Sequence, residues 1–143
     1  MRRYGERVKK KIDYKVRIGV YGVISVGDKI LLTNQDENEI QLPGGGVDLD
    51  EQKKHALVRE VREETGWKIH PIKHMGTYQR FVFMPEYDLW AQKICHIYLC
   101  KGIYPVSTPL EKGHTPILTT PDLAIKLIQN EGDRVYLQRF LCI

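Results

Sequence analysis

Apolar and polar positions divide the chain into extended segments and a few helices. From Tyr14 to Gly27, the residues Val16, Ile18, Val20, Tyr21, Val23, Ile24 and Val26 predict a largely buried β-strand. Gly27-Asp28 reads as a turn and Lys29 to Thr33 as a second strand, so the two form a hairpin. Asn34 to Glu39 reads as a polar loop, and Leu42-Pro43-Gly44-Gly45-Gly46 as a tight glycine turn where backbone can approach a ligand. A helix is expected to start between Asp48 and Gln52 and to stop at Gly66, with Asp48 and Glu51 spaced as a capping-box pair. Trp67 to Phe83 reads as strand-like pieces alternating with loops, and Ala91 to Cys100 as another apolar strand. Thr119-Thr120-Pro121-Asp122 opens a helix running to about Asn130. Gly132 is expected to break it, and Asp133 to Leu141 to form a second short helix. Strands and helices mix along the chain without an internal repeat, which argues one α/β or α+β domain.

Composition narrows this picture without changing it. The 143 residues, 42% hydrophobic and 28% charged, suit one domain with a real core. No apolar stretch is long enough for a membrane span, and the charged N-terminus lacks an apolar core of the secretory kind. A cytoplasmic location with no membrane partner is therefore expected. Cys95, Cys100 and Cys142 are too few and too irregularly spaced for a disulfide framework or a zinc site, so reduced, packed thiols are expected.

Net charge is +4, yet residues 1–17 carry eight Lys/Arg against two acids. Residues 1–13 thus read as a basic arm before a domain at 14–143. Such an arm can attract phosphates or RNA. Its single aromatic, Tyr4, and the absence of an interleaved stacking pattern favour a solvated arm that frays or lies on the surface.

The stretch Gly45 to Trp67 carries the chemistry. On a helical wheel at ~100° per residue, with Glu60 at zero, Glu63 falls near about −60° and Glu64 near about +40°. Ala56, Leu57 and Val61 lie on a separate apolar stripe. Arg59 and Glu63 at i, i+4 can form a helix ion pair, but Glu60 and Glu64 share that spacing and repel by a similar ~0.2–0.5 kcal/mol. Stability alone leaves this arrangement unexplained. A hard divalent cation explains it, because Mg²⁺ takes carboxylate, water and phosphate oxygens. The glycine-rich segment just before the helix offers backbone groups to an anion or its metal.

These residues resemble the Nudix box. Gly45, Glu51, Arg59, Glu60, Val61, Glu63, Glu64 and Gly66 occupy its positions, and Trp67 stands where an aliphatic residue is usual, a change expected to affect packing. The chain is thereby identified as similar to the Nudix hydrolases. The resemblance implies an α/β/α sandwich with a mixed β-sheet and a loop–helix–loop catalytic motif. It implies Mg²⁺ or Mn²⁺ held by Glu60, Glu63 and Glu64 with the Gly44 carbonyl, and substrate phosphates near Gly44, Gly45 and Gly46. Arg59 is expected to orient a box glutamate, and Glu51 to support the loop. The general base is expected to be Glu60 or Glu64 in the box, or Glu111 in the loop "PLEKGHTP"; Glu86, Asp88 and His114 are further candidates. Tyr78, Arg80, Phe81, Phe83, Tyr87 and Trp90 form an aromatic group from which one or two side chains can stack on a base.

The implied activity is metal-dependent hydrolysis of a diphosphate bond in a nucleoside diphosphate linked to another moiety, with a small nucleotide as substrate. Two alternatives stand beside it: a non-catalytic nucleotide- or partner-binding Nudix module, and an RNA 5′-end pyrophosphohydrolase, for which the basic arm is the support.

Overall fold

The computed structural model describes residues 1–36 and 38–142; Glu37, in the expected polar loop, and Ile143, the last residue of the expected domain, lie outside them. The elements follow as β1 (Lys15–Val26), β2 (Lys29–Gln35), β3 (Glu39–Gln41), β4 (Gly44–Gly46), α1 (Lys53–Thr65), β5 (Trp67–Met84), β6 (Leu89–Pro105), β7 (His114–Thr119), α2 (Pro121–Leu127) and α3 (Glu131–Leu141).

Strand β1 organises the molecule because its side chains alternate between two buried surfaces. Val20 and Ile24 face one way and pack with Leu31, Ala56, Leu57 and Val61, under α1. Val23 faces the other way and packs with Leu32, Ile97, Ala124, Ile128 and Leu137, under α2 and α3. The sheet is therefore covered by helices on both faces, the α/β/α sandwich. Its strand order is β3-β2-β1-β6-β5, with β4 also paired to β1 and β7 to β2. Strand β1 runs parallel to β6, and the other pairs are antiparallel, so the sheet is mixed. Among the described residues no helix is long and apolar enough to cross a membrane.

Several elements differ from the sequence expectation, each for a tertiary reason. The second strand continues to Gln35, into the segment read as a polar loop, because β3 and β7 both hydrogen-bond its end. Trp67 to Met84 is one continuous strand rather than pieces divided by loops. Its pairing with β6 survives three register shifts between Lys68 and Gly76, so the irregular stretches are bulges. Gly132 does not break a helix but sits in the first turn of α3, where any side chain would collide with the Tyr78 ring. Asn130 caps that turn by accepting from the Gly132 and Asp133 amides.

The N-terminal segment is not a freely solvated arm throughout. The Tyr4 amide donates to the Gln79 carbonyl at 3.1 Å, and the Gln79 amide donates to the Arg2 carbonyl at 2.9 Å. Tyr4 is buried, edge-on to Tyr78 with ring centroids 5.5 Å apart. Of the cysteines, Cys95 and Cys100 are buried as expected and Cys142 is exposed.

Candidate active site

The glycine segment is a short strand, not the tight turn expected. Val20 lies opposite Gly45, Tyr21 opposite Gly44 and Gly19 opposite Gly46. The flanking bonds, Gly22 amide to Pro43 carbonyl and Val47 amide to Ile18 carbonyl, place Gly45 in a hydrogen-bonded pair and turn the polar groups of Gly44 and Gly46 away from β1. The Gly44 amide then donates to Glu64 Oε1 at 2.9 Å, and the Gly46 carbonyl accepts from Arg59 Nη2 at 3.2 Å. A side chain at Gly44 would run into the Val20 carbonyl, and a Cβ at Gly45 would lie 2.5 Å from the Glu60 carboxyl. Glycine is required here so that β4 can approach both β1 and the carboxylates of α1.

Helix α1 begins at Lys53, with Gln52 as an N-cap that makes no side-chain cap bond. Asp48 and Glu51 do not cap it. The Asp48 amide donates to Glu51 Oε1 and the Glu51 amide to the Asp48 carbonyl, both at 3.0 Å, so the pair closes the loop ahead of the helix. Gly66, left-handed at φ 78°, terminates the helix as expected. Trp67 packs half-buried against the α1-side core.

Arg59 binds this loop to the helix. Its Nε and Nη2 donate to the two oxygens of Glu51 at 2.8 and 2.9 Å, a fork-on-fork pair, while Nη1 reaches Glu60 at 3.1 Å and Glu63 at 3.2 Å. Chiefly because of these Arg59 bonds, the Glu51 carboxyl is held down at about 2. The other carboxyls behave oppositely. Burial, then the charge of Glu63, pushes Glu60 up to about 7 despite Arg59. Glu64 is 5% exposed, and burial raises it well above the ordinary value against the pull of the Gly44 amide.

Glu111 arrives from the segment between β6 and β7. The Leu110 and Glu111 amides donate to the Glu63 carbonyl at 2.9 and 2.8 Å, which seats that loop on α1. Oxygens of Glu60, Glu63 and Glu111 consequently lie within 4.8 Å of one another, and so do ligand atoms of Glu64, Glu111 and His114. Glu111 belongs to both groups. His114 is buried, with Nδ1 3.0 Å from Thr33 Oγ1 and Nε2 3.6 Å from Glu64. The tautomer protonated on Nε2 lets the Thr33 hydroxyl donate to Nδ1 and turns the ring N–H toward the carboxylates.

A cleft of about 1170 Å³ holds Glu60, Glu64, Glu111 and His114 at one part of its lining, with Glu86 and Tyr87 elsewhere in it. Asp88 ends a 3-10 turn over Pro85–Tyr87 and, like Glu86, joins neither carboxylate group. The expected aromatic group is divided. Tyr78 is core, stacked on Tyr136, while Phe81 packs against Tyr14 and Phe83 against Trp90. Phe83, Tyr87 and Arg80 line the cleft. Sequence reasoning missed Tyr21 and Lys93, also in the lining, and Thr33, which orients His114. Alternation along the strands was the only available signal, since it sets which face each side chain takes but not what stands beside it.

Fold and site together define an α/β/α sandwich with a carboxylate-bearing helix set against a glycine strand. The match to known proteins agrees: residues 13–139 fit the NUDIX domain model, and the chain belongs to that family. It is 37% identical to the ADP-ribose pyrophosphatase of Methanocaldococcus jannaschii over a match covering 46% of this chain and 45% of that one. Among solved structures, a NUDIX hydrolase from Nitrosomonas europaea superposes with TM-score 0.69 at 18% identity, covering 87% of this chain and 89% of that one. The MutT protein from Methanosarcina mazei gives TM-score 0.69 at 22% identity, covering 91% and 96%. The matches span less than half the length of the curated relatives.

Proposed function

We propose that this protein is a divalent-metal-dependent hydrolase that cleaves a diphosphate bond in a nucleoside diphosphate linked to another moiety. One observation carries the reading: Glu111 joins two adjacent groups of ligand atoms, with Glu60 and Glu63 on one side and Glu64 and His114 on the other. Family membership and a relative named an ADP-ribose pyrophosphatase support a small nucleotide substrate.

The residues fit a hard cation. Glu60 and Glu64 are carboxyls that burial and mutual repulsion hold in a costly state, and oxygen donors dominate the set. Glu60, Glu63 and Glu64 would hold Mg²⁺ or Mn²⁺, with the outward-turned Gly44 carbonyl beside them. Such an ion, when bound, lowers the pKa of a water and offsets charge on diphosphate oxygens. Glu111, or a box carboxylate among Glu60 and Glu64, takes the proton of the attacking water. Arg59 keeps Glu60 and Glu63 oriented while anchoring the loop through Glu51. Gly44, Gly45 and Gly46 form the backbone wall against which the substrate phosphates rest.

The test is a panel of nucleoside diphosphate-linked compounds with Mg²⁺ or Mn²⁺, assayed for monophosphate release, with Glu63→Gln beside the wild type. Metal-dependent cleavage is expected, with severe loss in the variant. A Glu63→Gln enzyme of full activity would remove the metal assignment. Nucleotide binding without cleavage of any compound would instead favour a binding module.

A further inference from the structure

The far part of the cleft carries a feature that metal-assisted cleavage does not require. Lys93 on β6 lies directly opposite Arg17 on β1 and directly opposite Arg80 on β5. All three line the cleft. They share one sheet face, because Arg17 alternates in step with Tyr21 and Val23, Lys93 with Cys95 and Ile97, and Arg80 with Tyr78. Like charges facing each other across strands destabilise a sheet, and here three stand abreast.

Asp133 feels the charges of Lys93 and Arg80, but one carboxylate leaves the row of three cations in excess. Among the described residues, none of the three makes an ion pair with a carboxylate. Asp133, the buried carboxylate on this face, is engaged by the Tyr78 hydroxyl at 2.7 Å and the Leu42 amide at 3.3 Å. Arg17 lies over the Tyr87 ring at 4.5 Å and Lys93 over the Tyr21 ring at 5.5 Å, contacts that hold the cations in place without cancelling their charge. Burial pushes the Tyr21 phenol up to about 12, so it is a neutral neighbour at physiological pH.

Position gives the row its meaning. Gly44 and Gly45, the glycines that meet Glu64 and Glu60, pair with Tyr21 and Val20, four and three residues along β1 from Arg17, or about 13 and 10 Å at ordinary strand rise. Gly46, at the near end of the wall, pairs with Gly19, about 7 Å from Arg17. The row therefore stands beyond the end of the glycine wall, on the side away from the pair of glycines that meets the carboxylates. We infer that Arg17, Lys93 and Arg80 form a second anion subsite, which takes a phosphate monoester or carboxylate borne by a part of the substrate away from the scissile diphosphate. The assignment rests on the hydrolase reading for the word substrate, but the subsite itself is a matter of binding.

The test uses two matched pairs of compounds. NADP⁺ and NAD⁺ differ by one phosphate monoester, and UDP-glucuronate and UDP-glucose by one carboxylate. Affinity is measured by NMR titration in EDTA, and kcat/KM with Mg²⁺, for the wild type, Lys93→Met, Arg80→Met and Arg17→Gln; thermal melts confirm that each variant folds. The anionic member of at least one pair is expected to bind about tenfold tighter to the wild type, with that ratio falling toward one in each folded variant. Which pair responds identifies phosphate or carboxylate. Wild-type ratios within roughly twofold for both pairs overturn the subsite, whatever the variants do. So does a preference that survives in the folded variants. A binding preference lost in the variants, with no compound cleaved, keeps the subsite and overturns the hydrolase reading; cleavage without preference does the reverse.

Discussion

The acidic surface formed by α1 and the loop ahead of it has two ends that make an instructive contrast. At one end Glu51 meets both arms of the Arg59 guanidinium, and its carboxyl sits at about 2. At the other, Glu60 is pushed up to about 7 and Glu64 well above its ordinary value, with Glu111 close by. The residue type is the same and the separation is a few turns of backbone. Charge compensation is what differs. The first end is paired fork-on-fork and acts as a structural clasp, whereas the second shares only the Nη1 of Arg59 between Glu60 and Glu63 and is suited to hold a further positive charge from outside.

Removing a carboxylate from the less compensated end is expected to have the largest effect. Glu64→Gln should lower metal-dependent hydrolysis by roughly 10³-fold while leaving the metal-free protein at least as heat-stable as the wild type. A variant that loses stability and keeps activity would reverse the contrast, making Glu64 structural.

Changing the clasp should matter less. Arg59→Lys keeps the charge but cannot form the fork on Glu51, so activity is expected to fall by about 10–100-fold, with a lower melting temperature even without metal. Equal melting temperatures for the variant and the wild type would mean that the loop holds without the fork.

The smallest effect should appear in the pH dependence of the metal-free protein. Glu60 binds its proton more tightly when folded, so the folded state holds more protons than the unfolded chain between pH 4.5 and about 7. Stability contributed by this group is therefore greatest at low pH and falls as pH rises through that window. Glu51 has the opposite sign and loses its contribution as pH falls toward about 2. Melting temperatures in EDTA should drop from pH 4.5 to 7, drop less with Mg²⁺ present, and drop less in Glu60→Gln, where Glu64 retains a dependence of the same sign. A rise across the window in EDTA would show that Glu60 is already compensated.

How much of this was legible in the chain differs by element. Helix α1 and its glutamates were readable because helical spacing is local: residues 60, 63 and 64 share a face wherever the helix docks. The hairpin of β1 and β2 was readable for the same reason, from alternation and a turn. The glycine strand was misread as a turn, since Gly44 to Gly46 become a strand only through pairing with β1. The long β5 was misread as fragments, since its bulges are recognisable only beside β6.

The sequence by itself determined the acidic helix, its glycine stop and the arginine four residues before Glu63, because each depends on contacts within a turn or two of backbone. Only the tertiary structure decided what that helix meets. Bringing Glu111 to Glu63, His114 to Glu64, and Arg17, Lys93 and Arg80 into one row requires closing loops of tens of residues. Strand pairing and the two buried cores supply the free energy for that closure, and no local pattern in the chain records which distant residues it will join.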